Sequence, residues 1–187
     1  MKKLILPMSL LAILAIVITG AVFFIPKEKK VNLSLLVVEQ DITSLTRDSV
    51  AIAIGTIKDI IPGHLGMDNS GNKIVFTDYV LLVKNAIKGN VDEEVKIRII
   101  GGSVGEGKNK FSVFAEDEPD FVKGEEVLVF LSKNSGGFFD LPVDYYAVEG
   151  RFQGKYQIVN NEARNPKGIF KLDKVMDEIN LTLQSQK

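Results

Sequence analysis

Glu126-Val127-Leu128-Val129-Phe130-Leu131 is apolar at every position after its first. Five large apolar side chains in succession leave no polar face, so a strand here is buried on both sides. A small domain achieves that when its sheet closes on itself. Upstream, Val95-Lys96-Ile97-Arg98-Ile99 alternates strictly, with Lys96 and Arg98 on the face opposite the valine and isoleucines. Val50 to Ile57 is β-branched and alternates large with small residues. That predicts a strand with a bulky inward face and a closely approached outer face, and Gly55 lets it coil sharply. Ile74 to Val83 predicts a long second strand, Phe111 to Phe114 a short strand or edge. Pro62 to Gly66, continuing through Asp68 to Asn72, predicts an extended turn-rich loop. Tyr146 to Glu149 and Lys155 to Val159 predict a terminal hairpin turning near Gly150 to Gly154.

Helical spacing frames these strands. Leu35, Val38, Ile42 and Leu45, with Ser34 or Asp41 as cap, predict a short helix around Asp41 to Arg47. Leu172, Val175, Met176, Ile179 and Leu183 predict a C-terminal amphipathic helix. The expected architecture is mainly β, a small closed barrel with short flanking helices. Its divisions are an anchor with juxtamembrane lysines over 1–30, a linker and short helix over 31–47, the barrel over 48–170 and the closing helix over 171–187.

The anchor is read from Leu4 to Ile25, an uncharged run with lysines on both sides. At about 1.5 Å per residue, a helix of that length crosses the roughly 30 Å hydrocarbon core of a bilayer. The one cleavage candidate, Thr19-Gly20-Ala21, is followed by apolar Val22 to Ile25, where a signal peptide turns polar. This favours a retained single-pass signal-anchor. Lys2 and Lys3 on one side nearly balance Lys27, Lys29 and Lys30 on the other. The short tail before a single apolar run then places the long part on the extracytoplasmic side of the cell membrane.

The 187 residues hold 23 basic and 24 acidic side chains. With Lys2, Lys3, Lys27, Lys29, Lys30 and Glu28 set aside, 18 basic and 23 acidic residues remain after the anchor, a formal charge of −5. Such a domain repels polyphosphate, which argues against nucleic acid and against peripheral binding to anionic lipid. The absence of cysteine excludes disulfides, thiolate metal sites and thiol nucleophiles. No tryptophan is present to stack on carbohydrate.

The order of these signals resembles a group of exported bacterial and archaeal domains with an OB-like barrel. The matching stretches are Asp48 to Ile57, Thr77 to Val83 with Lys88-Gly89, Gly101-Gly102, Phe121 to Leu131 and Gly154-Lys155-Tyr156. More distantly the layout is similar to netrin-like and TIMP-like OB barrels, without their disulfide cysteines. The chain also lacks the N-terminal cysteine that chelates a protease metal in TIMPs, so that inhibitory mechanism does not carry over. The resemblance implies a fold; each motif in it has a structural role in turns or core.

Candidate sites are few. His64, the sole histidine, sits among Pro-Gly turn residues and beside no carboxylate in sequence. Gly101 to Gly107 lacks the lysine-hydroxyl ending of a phosphate loop, since Lys108 is followed by Asn109. Glu116, Asp117, Glu118 and Asp120 are the calcium candidates, although their spacing is not that of an EF-hand loop. Phe138, Phe139, Tyr145 and Tyr146 cluster around Pro142 as interface candidates, with packing at the barrel rim as the other reading. No cofactor motif is present. The expected function is a non-enzymatic, membrane-tethered extracytoplasmic module that binds a protein partner at the cell envelope. The alternative is an envelope hydrolase with a carboxylate-based site in the glycine or acidic loop.

Overall fold

The computed structural model describes residues 28–34 and 37–186, and over these the chain is mainly β. In chain order the elements are β1 (Lys29–Leu33), α1 (Ile42–Asp48), β2 (Ala51–Met67), β3 (Lys73–Lys88), β4 (Glu94–Ile100), β5 (Gly102–Val104) and β6 (Phe111–Ala115). They continue with β7 (Glu126–Ser132), β8 (Tyr145–Val148), β9 (Lys155–Val159), β10 (Glu162–Asn165), β11 (Gly168–Lys171) and α2 (Leu172–Gln184). The apolar run expected to cross the membrane lies outside the described residues. Among the described residues no helix is long and apolar enough to span one.

The run quoted first becomes β7, and Val127 through Leu131 are fully buried. Val127, Val129 and Leu131 pack with Leu81, Val95, Ile97 and Phe121. Leu128 and Phe130 face the other way, onto Leu45 of α1 and Val175 and Ile179 of α2. So the second face of β7 is covered by the two helices. The same division corrects the reading of β2. Its alanines, Ala51 and Ala53, join the first cluster, and its bulky Ile52 and Ile54 lie under the helices. At the start of α1, the Asp41 carboxylate caps the helix by accepting the Ser44 N–H at 2.7 Å.

The large sheet has the order β11-β10-β9-β7-β2-β3-β4-β8, and β7 also pairs with β8. The pairings therefore run β7–β2–β3–β4–β8 and return to β7. Four contacts in this circuit are antiparallel; β4 and β8 are parallel. One whole edge of β7 lies along β2. Its other edge is shared: residues 127–129 pair with β9 and residues 131–132 with β8. The expected terminal hairpin is thus absent. β8 and β9 take successive halves of one strand edge, and the turn at Arg151–Gly154 carries the chain between them. The sheet continues through β10 and β11, neither expected from the sequence.

Two other expectations change. Pro62 to Gly66 is no loop; it lies inside β2 and stays paired to β3 across a register shift between Ile61 and His64. The stretch expected as a linker contains β1, which pairs in parallel with β6 in a second sheet of order β1-β6-β5. Val31, Leu33, Val104 and Phe111 of this small sheet close a third cluster around Val75, Phe76 and Ile100. Gly63 lets the two sheets approach. A Cβ there would run into the Ser103 carbonyl oxygen and stand 2.9 Å from Val75 Cγ1. Gly63→Ala should therefore lower stability by about 1–3 kcal/mol, read as a shift in the urea midpoint. An unchanged midpoint would mean that β5 does not press on β2.

Candidate functional site

The acidic loop between β6 and β7 borders a cleft of about 350 Å³. Its other walls are the extended segment Val37–Gln40, the turn at Asn134–Gly136 and the end of β8 through Arg151. Glu118 points into it with a side chain only 9% exposed, and the Arg151 guanidinium donates to its carboxylate. Burial pushes the Glu118 carboxyl up to about 7; the Arg151 charge opposes this and Asp117 adds to it. Arg151 has a left-handed backbone, φ +54°, directly after Gly150 at φ +65°. A non-glycine residue in that region stores about 1–3 kcal/mol, held only when its surroundings fix it. Gly150 is one cause. A Cβ there would lie 2.5 Å from both Gln40 Oε1 and Leu45 Cδ2, so the turn is pressed against the strap that precedes α1.

That strap is held by side chains. Gln153, 2% exposed, acts as a substitute peptide group. Its Oε1 accepts the Gln40 N–H at 3.0 Å and its Nε2 donates to the Val38 carbonyl at 2.9 Å. Lys167 Nζ donates to the Gln40 carbonyl at 2.7 Å.

A second buried ion pair adjoins the cleft. Asp78 on β3 stands directly opposite Arg98 on β4. Arg98 makes two parallel bonds to the Asp78 carboxylate, both 2.8 Å, with side-chain exposures of 14% and 4%. The guanidinium lies 4.4 Å from the Tyr145 ring centroid and 5.2 Å from that of Phe76. Asp78 holds the guanidinium charge firmly, raising the Arg98 pKa against the effect of burial. His64 Nε2 is 3.8 Å from Asp78 Oδ2, so strand pairing gives the histidine the carboxylate neighbour its sequence context lacked. Both Asp78 oxygens are already bonded to Arg98 and the separation exceeds a hydrogen bond. The geometry is that of an ion pair when His64 is protonated.

The other sequence candidates are dispersed. The calcium candidates do not share one centre. Glu116, Glu118 and Asp120 all border a groove with Lys155 and Arg164, but the Glu118 carboxylate is taken up by Arg151. Asp120 Oδ1 accepts the Phe121 N–H at 3.0 Å, and the Asp117 carbonyl accepts that of Phe152 at 3.2 Å. Among the described residues, no group of three or more acidic or histidine side chains converges as for a metal ion. Asp120 and Glu125 also bear on Tyr79, whose phenol is pushed up to about 12, chiefly by burial. The glycine loop is partly ordered into β5, with the Thr77 hydroxyl donating to the Gly101 carbonyl at 2.8 Å.

The four interface aromatics differ in burial and in partners. Phe139 is buried, 4.6 Å from Phe76 between ring centroids, and Phe138 packs on the same cluster. Tyr145 covers Arg98, and Tyr146 packs on the first cluster with Lys133 Nζ 3.6 Å from its ring centroid. Sequence reasoning missed Asp78, Arg98, Arg151 and Gln153 as a group. An aspartate in the middle of an otherwise apolar strand was the available signal, because such a residue needs a partner across the ladder. Compared with family models, curated proteins and solved structures, the chain matches none.

Glu118 binds its proton more tightly folded than unfolded. Its contribution to stability is fully present below the unfolded value of 4.5 and is lost as pH rises through about 7. Glu118→Gln should remove that slope. Relative to the parent, the variant should gain on the order of 2 kcal/mol between pH 4.5 and pH 8, measured by urea unfolding at both; parallel profiles would show that Glu118 does not titrate there. Separately, Gln153→Leu should speed amide exchange of Gln40 and cost about 1–3 kcal/mol, because a leucine can bond neither strap group.

Proposed function

We propose that this chain is a membrane-tethered extracytoplasmic module, non-enzymatic, that binds a protein partner at the cell envelope through an OB-like barrel. The barrel reading is supported by the circuit of pairings β7–β2–β3–β4–β8, five strands that return to their start with one parallel contact. The observation that carries the tethering role is the placement of β1. It begins four residues after the apolar run and is hydrogen-bonded to β6 as a parallel strand, and the following strap is fixed by Gln153 and Lys167. A tether built into the fold holds a binding surface in one orientation, which raises the effective concentration of a weak binder for a partner in the same membrane. The cleft between the strap and Arg151 is the binding surface in this reading, with Phe139 in its lining and Tyr145 stacked on Arg98, another lining residue. The formal charge of −5 favours a protein over a nucleic acid.

The raised pKa of Glu118 favours one second reading, an envelope hydrolase in which this acidic-loop carboxyl is a general acid. One experiment separates the two. The full chain, cross-linked in intact cells and captured from solubilised membranes, should return the same envelope protein repeatedly. Tyr145→Ala should reduce that capture about tenfold, equivalent to about 1.4 kcal/mol, and Lys174→Gln, exposed on α2 and outside the cleft, should leave it within twofold. Captures that share no envelope protein would overturn the binding reading; hydrolytic activity abolished by Glu118→Gln would establish the alternative.

A further inference from the structure

The short spacing between the apolar run and β1 bears on how an anchored domain stands on a membrane. Three residues, Pro26 to Glu28, lie between Ile25, the last of the apolar run, and Lys29, the first of β1, so four Cα-to-Cα steps join the two. Fully extended, they reach no more than about 14 Å. At that point the chain is already held, because the Lys29 N–H donates to the Lys110 carbonyl at 3.2 Å. The loop joining β5 to β6 therefore cannot be far from the bilayer.

Charge gathers at the same end, against the acidic trend of the domain. Lys29 and Lys30 are exposed, and Lys110 has 41% of its side chain exposed. Glu28 stands among them, accepting from the Ser112 hydroxyl and pairing with Lys110 at 2.9 Å and Lys30 at 3.3 Å. Glu106, in the same loop, is the other carboxylate near this end in sequence. Against Lys29, Lys30 and Lys110, Glu28 and Glu106 leave this end of the sheet one positive charge in excess. An anionic surface attracts basic residues within a Debye length of it, whatever the net charge of the rest of the domain.

We infer that the β5–β6 end of the small sheet lies in the headgroup layer, where Lys29, Lys30 and Lys110 bind the phosphates of anionic lipid. This deepens the proposed function and rests on its membrane anchor. The tether supplies proximity, and the lysines then fix which face is turned down. β1 and β6 rise from that end side by side, and the strap and the cleft follow farther along the chain.

The absence of native cysteine allows a direct test on the full chain. Asn109→Cys places one fluorophore in the β5–β6 loop; Ser185→Cys places another at the end of α2. Each protein is reconstituted into phosphatidylglycerol vesicles and into phosphatidylcholine vesicles carrying a headgroup-attached quencher. In the anionic vesicles the probe at 109 should be quenched at least twofold more than the probe at 185. Lys29→Gln, Lys30→Gln and Lys110→Gln together should lower quenching at 109 to its level in phosphatidylcholine, with the circular dichroism spectrum unchanged. Protein released from the vesicles by carbonate would overturn the anchor and this inference with it. Retained protein with equal quenching at 109 and 185 would overturn the inference alone. Equal quenching at 109 in the two lipids would show that the tether sets the position and that the lysines do not select anionic lipid, which overturns the inference.

Discussion

The structure depends on the double burial of β7. A strand with Val127 to Leu131 fully excluded from water must be covered on both faces and paired along both edges. Otherwise apolar surface and backbone polar groups are left exposed or unsatisfied. β2 takes one edge, and β8 and β9 divide the other. One face meets the residues of β3 and β4, and the other meets α1 and α2. Most of the remaining chain is arranged by what β7 requires. Alanines on β2 allow close packing on the first face, and isoleucines on the same strand fill the space beneath the helices.

Dividing one edge between two strands creates a local problem that the cleft region solves. Between β8 and β9 the chain leaves β7 and returns within a few residues, through Gly150 and Arg151 in left-handed conformations. The groups released there are used to hold other segments. Gln153 binds the strap, and Arg151 reaches the acidic loop. Polar interactions of this kind contribute little net stability each, yet leaving one buried partner unmatched is costly. The Asp78–Arg98 pair follows the same logic, buried and bidentate, and capped by aromatic rings. These networks specify one arrangement of segments that hydrophobic burial alone leaves unspecified.

The sequence disclosed the elements whose periodicity is internal to them. β3, β4, β6, β7 and both helices were legible because alternation or helical spacing appears within each segment. β1 was not, because Lys29-Lys30-Val31-Asn32-Leu33 holds two apolar residues and is defined by a partner strand far along the chain. β10 and β11, four residues each, were too short for alternation to show within them. The Asn160-Asn161 pair, both at positive φ, was the hairpin signal that could have found them. In the site, Glu118 was legible as an acid but not as the partner of Arg151, since sequence spacing says nothing about a contact made across a fold. The interface aromatics were legible as a cluster in sequence, but their division was not: Phe139 is buried against Phe76 and Tyr145 covers Arg98, which are contacts made across the fold.

The parallel pairing of β1 with β6 also sets an order of events during synthesis. Residues 29–33 leave the ribosome long before residues 111–115, so the strand nearest the apolar run waits for its partner while most of the domain is still being made. During that interval it is an unpaired edge. Its brevity, its two leading lysines and Asn32 are features that discourage pairing with a foreign strand. Docking of β1 then completes the small sheet, so residues 29–33 join the fold only after β6 has emerged.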